Sequence, residues 1–208
     1  MKALFLSLFC LISSFCFSQQ KEEFRLVKNY YNQHRSMLGT EFKKKFDLES
    51  DSFRKASIKV DFTLFMKKMD SIENVSMIAA LLKVRNTEDL QSLKSPKSLS
   101  EITTEKPFVF EKSADYPGGF NTLRQEVANL FYTDGVYTEA KTVKTDVAFI
   151  VEKDGSISNV HAQGNNFTFN RQAEIALYSI SEKFSPAIIK GETVRHQLTL
   201  PLTLTIED

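Results

Sequence analysis

The sequence contains very little cysteine. Only Cys10 and Cys16 are present among its 208 residues, and both lie within the first eighteen. Those eighteen residues have the pattern of a cleavable secretory signal peptide, because Lys2 is followed by an uncharged run with small residues before a cut site. The run is shorter than the ~20 apolar residues of a membrane span. Without the peptide no cysteine remains, which excludes disulfides, a cysteine zinc site and a thiol nucleophile.

A chain with such a leader is exported. We therefore expect a mature protein that begins near Gln19, is periplasmic or secreted, and has no stable membrane insertion. A retained signal anchor is the alternative. Lipidation of Cys16 is not expected, because Phe15, directly before it, is too bulky for that position.

Motifs of catalysis are also missing. The three histidines, His34, His161 and His196, show no metal-ligand spacing such as H-x-x-x-H. The seven glycines build neither type of glycine-rich phosphate loop, and no serine lies in G-x-S-x-G. The 27 basic residues nearly balance the 26 acidic ones, so nothing indicates a nucleic-acid partner. We therefore expect a protein that is not an enzyme and has no catalytic, cofactor-binding or metal-binding residues.

The second half has the periodicity of a small unit of helices and strands. Helical spacing of apolar residues predicts helices over residues 120–131 and 173–184. Between them, alternation of apolar and polar residues predicts strands over residues 143–151 and 157–162. These strands flank Asp154-Gly155, a dipeptide typical of tight hairpin turns.

The chain ends in its clearest alternation. Between residues 194 and 206 the even-numbered residues are apolar apart from His196, and the odd-numbered ones are polar apart from Pro201. Proline cannot donate a ladder hydrogen bond, so this last strand should lie at a sheet edge with the Pro201 nitrogen outward. The order helix, strand, strand, helix, strand then predicts an α+β fold with a small antiparallel sheet packed with helices.

Three segments of this half, ADYPGGFNTLRQEVANLF, DVAFIVEKDGSISNV and GETVRHQLTLPLTL, resemble the TonB C-terminal domain family. The resemblance covers about residues 108–206. It is most specific at the glycine pair after Tyr116-Pro117, at Lys153-Asp154-Gly155 and at Leu200-Pro201-Leu202. It implies a periplasmic domain that binds outer-membrane receptors, with a short receptor segment paired to its last strand.

The expected function follows from this resemblance and from the edge strand. We expect an exported protein-binding module that recognises extended peptide segments, above all of outer-membrane receptors, by strand addition. Residues two apart share one side of a strand, so the candidate partner-binding residues are Thr199, Pro201, Thr203 and Thr205. A homo-oligomer through the same edge, and a structural or regulatory envelope protein that binds no receptor, are the alternatives.

The chain also departs from the family pattern. Energy-transducing members keep an uncleaved N-terminal membrane helix and a long proline-rich arm, neither of which this sequence shows, so energy transduction is not expected. Phe184 stands where the family often has tryptophan, and Tyr137-Thr138 where it usually has a tyrosine–proline pair.

A polar stretch bracketed by Pro96 and Pro107 predicts a linker over residues 94–107. It would separate an N-terminal domain of residues 19–93 from a TonB-like domain of residues 108–208. Two interpretations of the N-terminal domain stay open. A shift of 85 residues gives eleven identities over 48 positions, which predicts a degenerate tandem copy, with a strand over residues 56–68 paired to residues 72–78. Helical spacing between Ile72 and Leu82 instead predicts a mostly helical domain.

Mass spectrometry of the exported protein tests the predicted leader. We expect a chain that begins near Gln19 and carries no lipid. An intact Met1, or a lipid mass on Cys16, is the outcome that would exclude a cleaved signal peptide.

Overall fold

The computed structural model describes residues 19–94 and 110–206. The predicted signal peptide (residues 1–18) and all but the first residue of the predicted linker lie outside the described residues. In chain order the elements are α1 (Gln19–Leu48), α2 (Ser52–Lys94), α3 (Gly119–Leu130), a 3₁₀ helix (Thr133–Gly135), β1 (Thr142–Val151), β2 (Ile157–Gly164), α4 (Phe167–Tyr178), β3 (Ala187–Ile189), β4 (Glu192–Val194) and β5 (His196–Thr205). The α+β class is confirmed, and the second half has the predicted order of helix, strand, strand, helix, strand, with the short β3–β4 hairpin added before the last strand.

The first half is a hairpin of two helices of 30 and 43 residues, which corresponds to about 45 and 65 Å. The helices pack antiparallel, since Glu23 accepts a hydrogen bond from Lys83 at 2.6 Å and Tyr31 bonds Ser76 at 2.9 Å. Asp51 is the N-cap of the second helix, because its carboxylate accepts the N–H groups of the residues two and three positions later.

The predicted tandem copy is wrong. Residues 56–68 and 72–78, predicted as paired strands, both lie inside α2, and residues 19–94 contain no strand. Helical packing explains the misleading pattern. Phe62, Met66 and Met69 are spaced by three and four residues and lie on the less exposed side of α2, while Leu64 between them is 60% exposed. The helical interpretation of the first half is confirmed for its described residues.

β1 is the central strand of a three-stranded antiparallel sheet, with β2 on one side and β5 on the other. Asp154-Gly155 turns the chain between β1 and β2, with Gly155 at a φ of +80°. A Cβ added at Gly155 would lie 2.0 Å from the carbonyl oxygen of Phe184. This turn therefore requires glycine for its conformation and for its close contact with the loop after α4.

One hydrophobic core joins the helical hairpin to the sheet. Phe24 of α1 stacks on Tyr178 of α4, with ring centroids 5.5 Å apart, and Leu81 of α2 is fully buried. The same cluster includes buried residues of α3, β1, α4 and β5, among them Leu123, Val127, Val147, Phe149, Ala173, Leu177 and Leu200. Because both halves bury their apolar residues together, we expect them to unfold together.

Truncation of Leu81 tests this shared core. We expect Leu81→Ala to lower the free energy of unfolding by ~2–5 kcal/mol, because removal of a fully buried side chain leaves a cavity. Leu48→Ala, at a leucine that is 78% exposed, should change it by less than ~0.5 kcal/mol. Urea denaturation followed by circular dichroism and by amide NMR signals of β1 should give one transition. Separate transitions for the helical hairpin and the sheet would show that the core is not shared.

Candidate functional site

β5 lies at one edge of the sheet, as Pro201 predicts. It pairs with β1 in an unbroken antiparallel register over its ten residues. Just beyond β5, the Ile206 N–H donates to the Lys141 carbonyl oxygen at 2.9 Å. Backbone groups alternate in direction along an antiparallel pair. The even-numbered residues of β5 therefore bond to β1, and the odd-numbered ones direct their N–H and C=O groups away from it.

The structure places the four candidate residues together on this free side: Thr199, Pro201, Thr203 and Thr205, all exposed. Leu200 between them is fully buried. Pro201 stands opposite Asp146 without loss of a ladder bond, because its nitrogen faces away from β1. Within residues 19–94 and 110–206, no group forms a hydrogen bond with the outward backbone groups of these four residues.

β2, at the opposite edge, is closed by side chains. The Glu174 carboxylate of α4 accepts the outward N–H of Ala162 at 2.8 Å, although Glu174 is 0% exposed. Arg85 of α2 and Arg171 of α4 each donate to this carboxylate at 2.6 Å. Two guanidinium groups thus offset the cost of burying the charge, and α2, α4 and β2 meet at one carboxylate.

A second carboxylate closes the other end of β2. The strand bulges at Asn159, whose φ is +50°, where its register with β1 shifts. Glu88 of α2 accepts the Asn159 N–H at 3.0 Å and the Tyr178 hydroxyl at 2.8 Å. The Tyr178 oxygen in turn accepts the Val160 N–H at 3.1 Å. These donors of β2 are thereby occupied, so this edge offers an added strand little to bind.

Burial changes the acid–base behaviour of this pair. It raises the pKa of the Glu88 carboxyl above the ordinary 4.5, although the hydrogen bonds from Asn159 and Tyr178 act in the opposite direction. Burial, followed by the charge of Glu88, also raises the pKa of the Tyr178 hydroxyl well above the ordinary 10. Tyr178 therefore keeps its proton and donates a hydrogen bond to Glu88.

The raised pKa of Glu88 predicts a pH dependence of stability. The folded protein binds the Glu88 proton more tightly than the unfolded chain, whose carboxyl titrates near 4.5. The stabilising contribution is therefore full below that pH and is lost as the pH rises through the raised pKa. Glu88→Gln removes this titration. The unfolding free energy of the wild type minus that of the variant should therefore fall as the pH rises from 4.5 through the raised pKa of Glu88. Urea denaturation at a series of pH values measures this difference.

Glu41→Gln, at an exposed carboxylate of α1, is the matched control. Its difference from the wild type should not fall across the same window. If the difference for Glu88→Gln were also flat, Glu88 would not have the raised pKa that its burial gives it.

The three histidines occupy separate places. His196, at the start of β5, accepts the Ala114 N–H at 3.1 Å through Nδ1 and packs on the Phe110 ring, and burial lowers its pKa. His34 bonds a carbonyl oxygen of its own helix, whereas His161 contacts an arginine of α2. Over the described ranges, no three His, Cys, Asp or Glu side chains are grouped in a way that could hold a metal ion.

A cavity of about 210 Å³ lies where α1, α2 and α4 meet, and no sequence pattern indicated it. Much of its polar lining is paired within the protein, because Arg35 donates to Asp70 and Glu73, and Gln172 donates to Asn74 at 2.6 Å. Its apolar wall is formed by Met77, Leu130, Phe131 and Ile175. The cavity therefore offers a partner fewer free polar groups than the edge of β5 does.

The residues of the open edge are recognisable in the sequence, but those that close the other edge are not. Glu88 and Glu174 are ordinary helical carboxylates in the sequence, and their partners are backbone N–H groups of a distant strand. The only indirect signal was the excess of positive charge in the first half and of negative charge in the second. The Arg85–Glu174 ion pair is one contact that follows this difference.

In comparisons with known proteins, no model of a protein family matches the chain and no curated protein matches it. None of the helices in the described part of the chain combines the length and the apolar character needed to cross a membrane. The relation to the TonB C-terminal domain family stays a prediction from the sequence segments quoted above.

Proposed function

We propose that the protein is an exported, periplasmic binding module that recognises extended peptide segments by adding them as a strand to β5. The observation that supports this most directly is the difference between the two sheet edges. Side chains of α2 and α4 hold the N–H groups of Asn159, Val160 and Ala162 on β2. The outward groups of β5 have no such partner among the described residues. A sheet with one closed and one open edge directs strand addition to the open one.

The resemblance to the TonB C-terminal domain family supports a class of partner, namely short segments of outer-membrane receptors. In that family a receptor segment pairs with the last strand, and here the open edge is the last strand of the chain. Because Pro201 contributes a carbonyl but no N–H, donors are available on both sides of it, at Thr199 and Thr203, but not between them. A peptide that binds must therefore leave one of its acceptors without a backbone partner at Pro201.

The affinity should be modest. About four backbone hydrogen bonds, each worth ~0.5–1.5 kcal/mol net, gain only a few kcal/mol before the peptide loses conformational freedom. Peptide side chains that lie beside the exposed threonines add contacts of ~0.2–1 kcal/mol each. We expect dissociation constants in the micromolar to millimolar range.

A proline at position 203 tests the proposal. Thr203→Pro removes a second outward N–H beside the one that Pro201 already lacks and leaves no outward donor between Thr199 and Thr205, so peptide binding should be lost while the fold is kept. Thr203→Ala removes the side-chain contacts but keeps the N–H, and should retain binding within about threefold. Amide shifts of the labelled protein, titrated with synthetic extended segments of outer-membrane receptors, report both binding and fold.

Leu202→Pro is the matched control for the fold. Leu202 lies opposite Thr145 and directs its N–H to β1, so this proline should lower stability by removing a ladder bond. Unchanged peptide binding in a folded Thr203→Pro protein would show that the partner docks elsewhere. If no segment binds the wild type and a pull-down from envelope extract recovers only a soluble complex, the structural or regulatory alternative is favoured.

A further inference from the structure

The side of the helical hairpin turned away from the sheet carries a second apolar stripe. On α2, five exposed apolar residues recur at spacings of three, four or seven: Phe65, Ile72, Val75, Ala79 and Leu82. We call these five residues the outer seam. Their positions are those of the a and d residues of a heptad repeat, with Lys68 at the one polar position between the first two. The residues of α2 that face the shared core lie on other sides of the helix: Met77, Ala80, Leu81 and Val84.

α1 extends this apolar face. Three of its large side chains are exposed on one side of the helix: Leu26, Tyr30 and Met37. The bonds of Tyr31 to Ser76 and of Glu23 to Lys83 fix how the two helices lie side by side. They place the three α1 residues at the level of the outer seam.

The exposed area of this face is close to the area that one subunit contributes to a dimer interface. Its seven large side chains, four from the outer seam and three from α1, are each between 50% and 64% exposed. If an aromatic side chain offers about 150–250 Å² and an aliphatic one somewhat less, the seven leave on the order of 700 Å² of mostly apolar surface. A standard protein interface takes about 800 Å² from each partner, whereas scattered apolar residues on a monomer rarely form so large a continuous patch.

We infer that this face binds a second copy of the chain, with the two α2 helices antiparallel and the twofold axis near Val75. A heptad seam packs against another helix, and every copy carries the same seam, so an isologous contact closes with two subunits. A parallel arrangement would set two Lys68 ammonium groups against each other. The antiparallel arrangement separates them, because a residues then face d residues: Ile72 of each subunit lies against Val75 of the other, and Lys68 lies against the small Ala79.

This dimer leaves strand addition undisturbed. α2 bonds to β2 through Glu88, and β5 lies on the far side of β1. Each subunit therefore keeps its open edge.

Sedimentation equilibrium of the chain from residue 19 onward tests the dimer. We expect twice the chain mass at micromolar concentrations and above. Ile72→Glu and Val75→Glu should each reduce this to the mass of one chain with an unchanged circular dichroism spectrum, since glutamate favours a helix but cannot be buried without a partner. Leu48→Glu, at an exposed apolar position near the tip of the hairpin, should leave the dimer intact.

A second readout does not depend on the glutamate variants. The chain has no cysteine after residue 18, so single cysteines can be introduced and joined with a short bismaleimide. Val75→Cys, close to the twofold axis, should give covalent dimers, whereas Leu48→Cys should not.

Three outcomes would overturn the inference. The wild type has the mass of one chain, or Ile72→Glu leaves the dimer intact, or Val75→Cys is joined no more than Leu48→Cys. Thr203→Pro separates this dimer from pairing through the sheet edge, because it should keep the dimer mass. A dimer lost in Thr203→Pro and kept in Ile72→Glu would assign self-association to β5 instead.

Discussion

The buried carboxylate of Glu174 is the contact on which the arrangement of the molecule depends. It is shielded from water and is bonded by Arg85, Arg171 and the N–H of Ala162. A carboxylate is tolerated in such a place only when its charge is balanced and its oxygens are bonded. α2 must therefore dock where Arg85 can reach it, and β2 cannot change register without losing the bond at Ala162. One group thus sets both the position of the helical hairpin and the closure of one sheet edge.

Because the edge at β2 is closed, the open edge at β5 indicates where a partner can bind. An unpaired strand edge is common in small sheets, and by itself it says little about function. Here, however, three acceptors from two helices are used to occupy the donors of one edge: Glu88, Tyr178 and Glu174. The other edge has exposed threonines and a proline that costs no ladder bond. α2 and α4 together therefore close the edge at β2 and leave β5 as the place where a further strand can be added.

The parts of the fold that were predictable from the sequence are those with one clean period. β1, β2 and β5 each bury one face more than the other, so their alternation was clear, and Pro201 indicated which strand lies at an edge. The three-residue strands β3 and β4 are too short to show a period. α2 was ambiguous because it carries apolar residues on every side: toward α1, toward the core and in the outer seam. Exposed residues such as Leu64 then imitate the alternation of a strand. The end of α4 was misplaced because Phe184 continues the helical spacing, although the helix ends at Tyr178 and Phe184 enters the core from a loop. The role of Glu174 depends on a tertiary contact, which no local pattern encodes.

Pro201 has one more consequence. A row of unpaired backbone groups on an exposed strand can template the stacking of chain upon chain into cross-β fibrils, in which every backbone group bonds to the next chain. Pro201 interrupts that row at the middle of β5, because a strand laid there finds no donor at this point. A copy of β5 added to this edge would bring a second interruption of its own. The proline at the middle of the open edge thus protects the protein against aggregation through that edge.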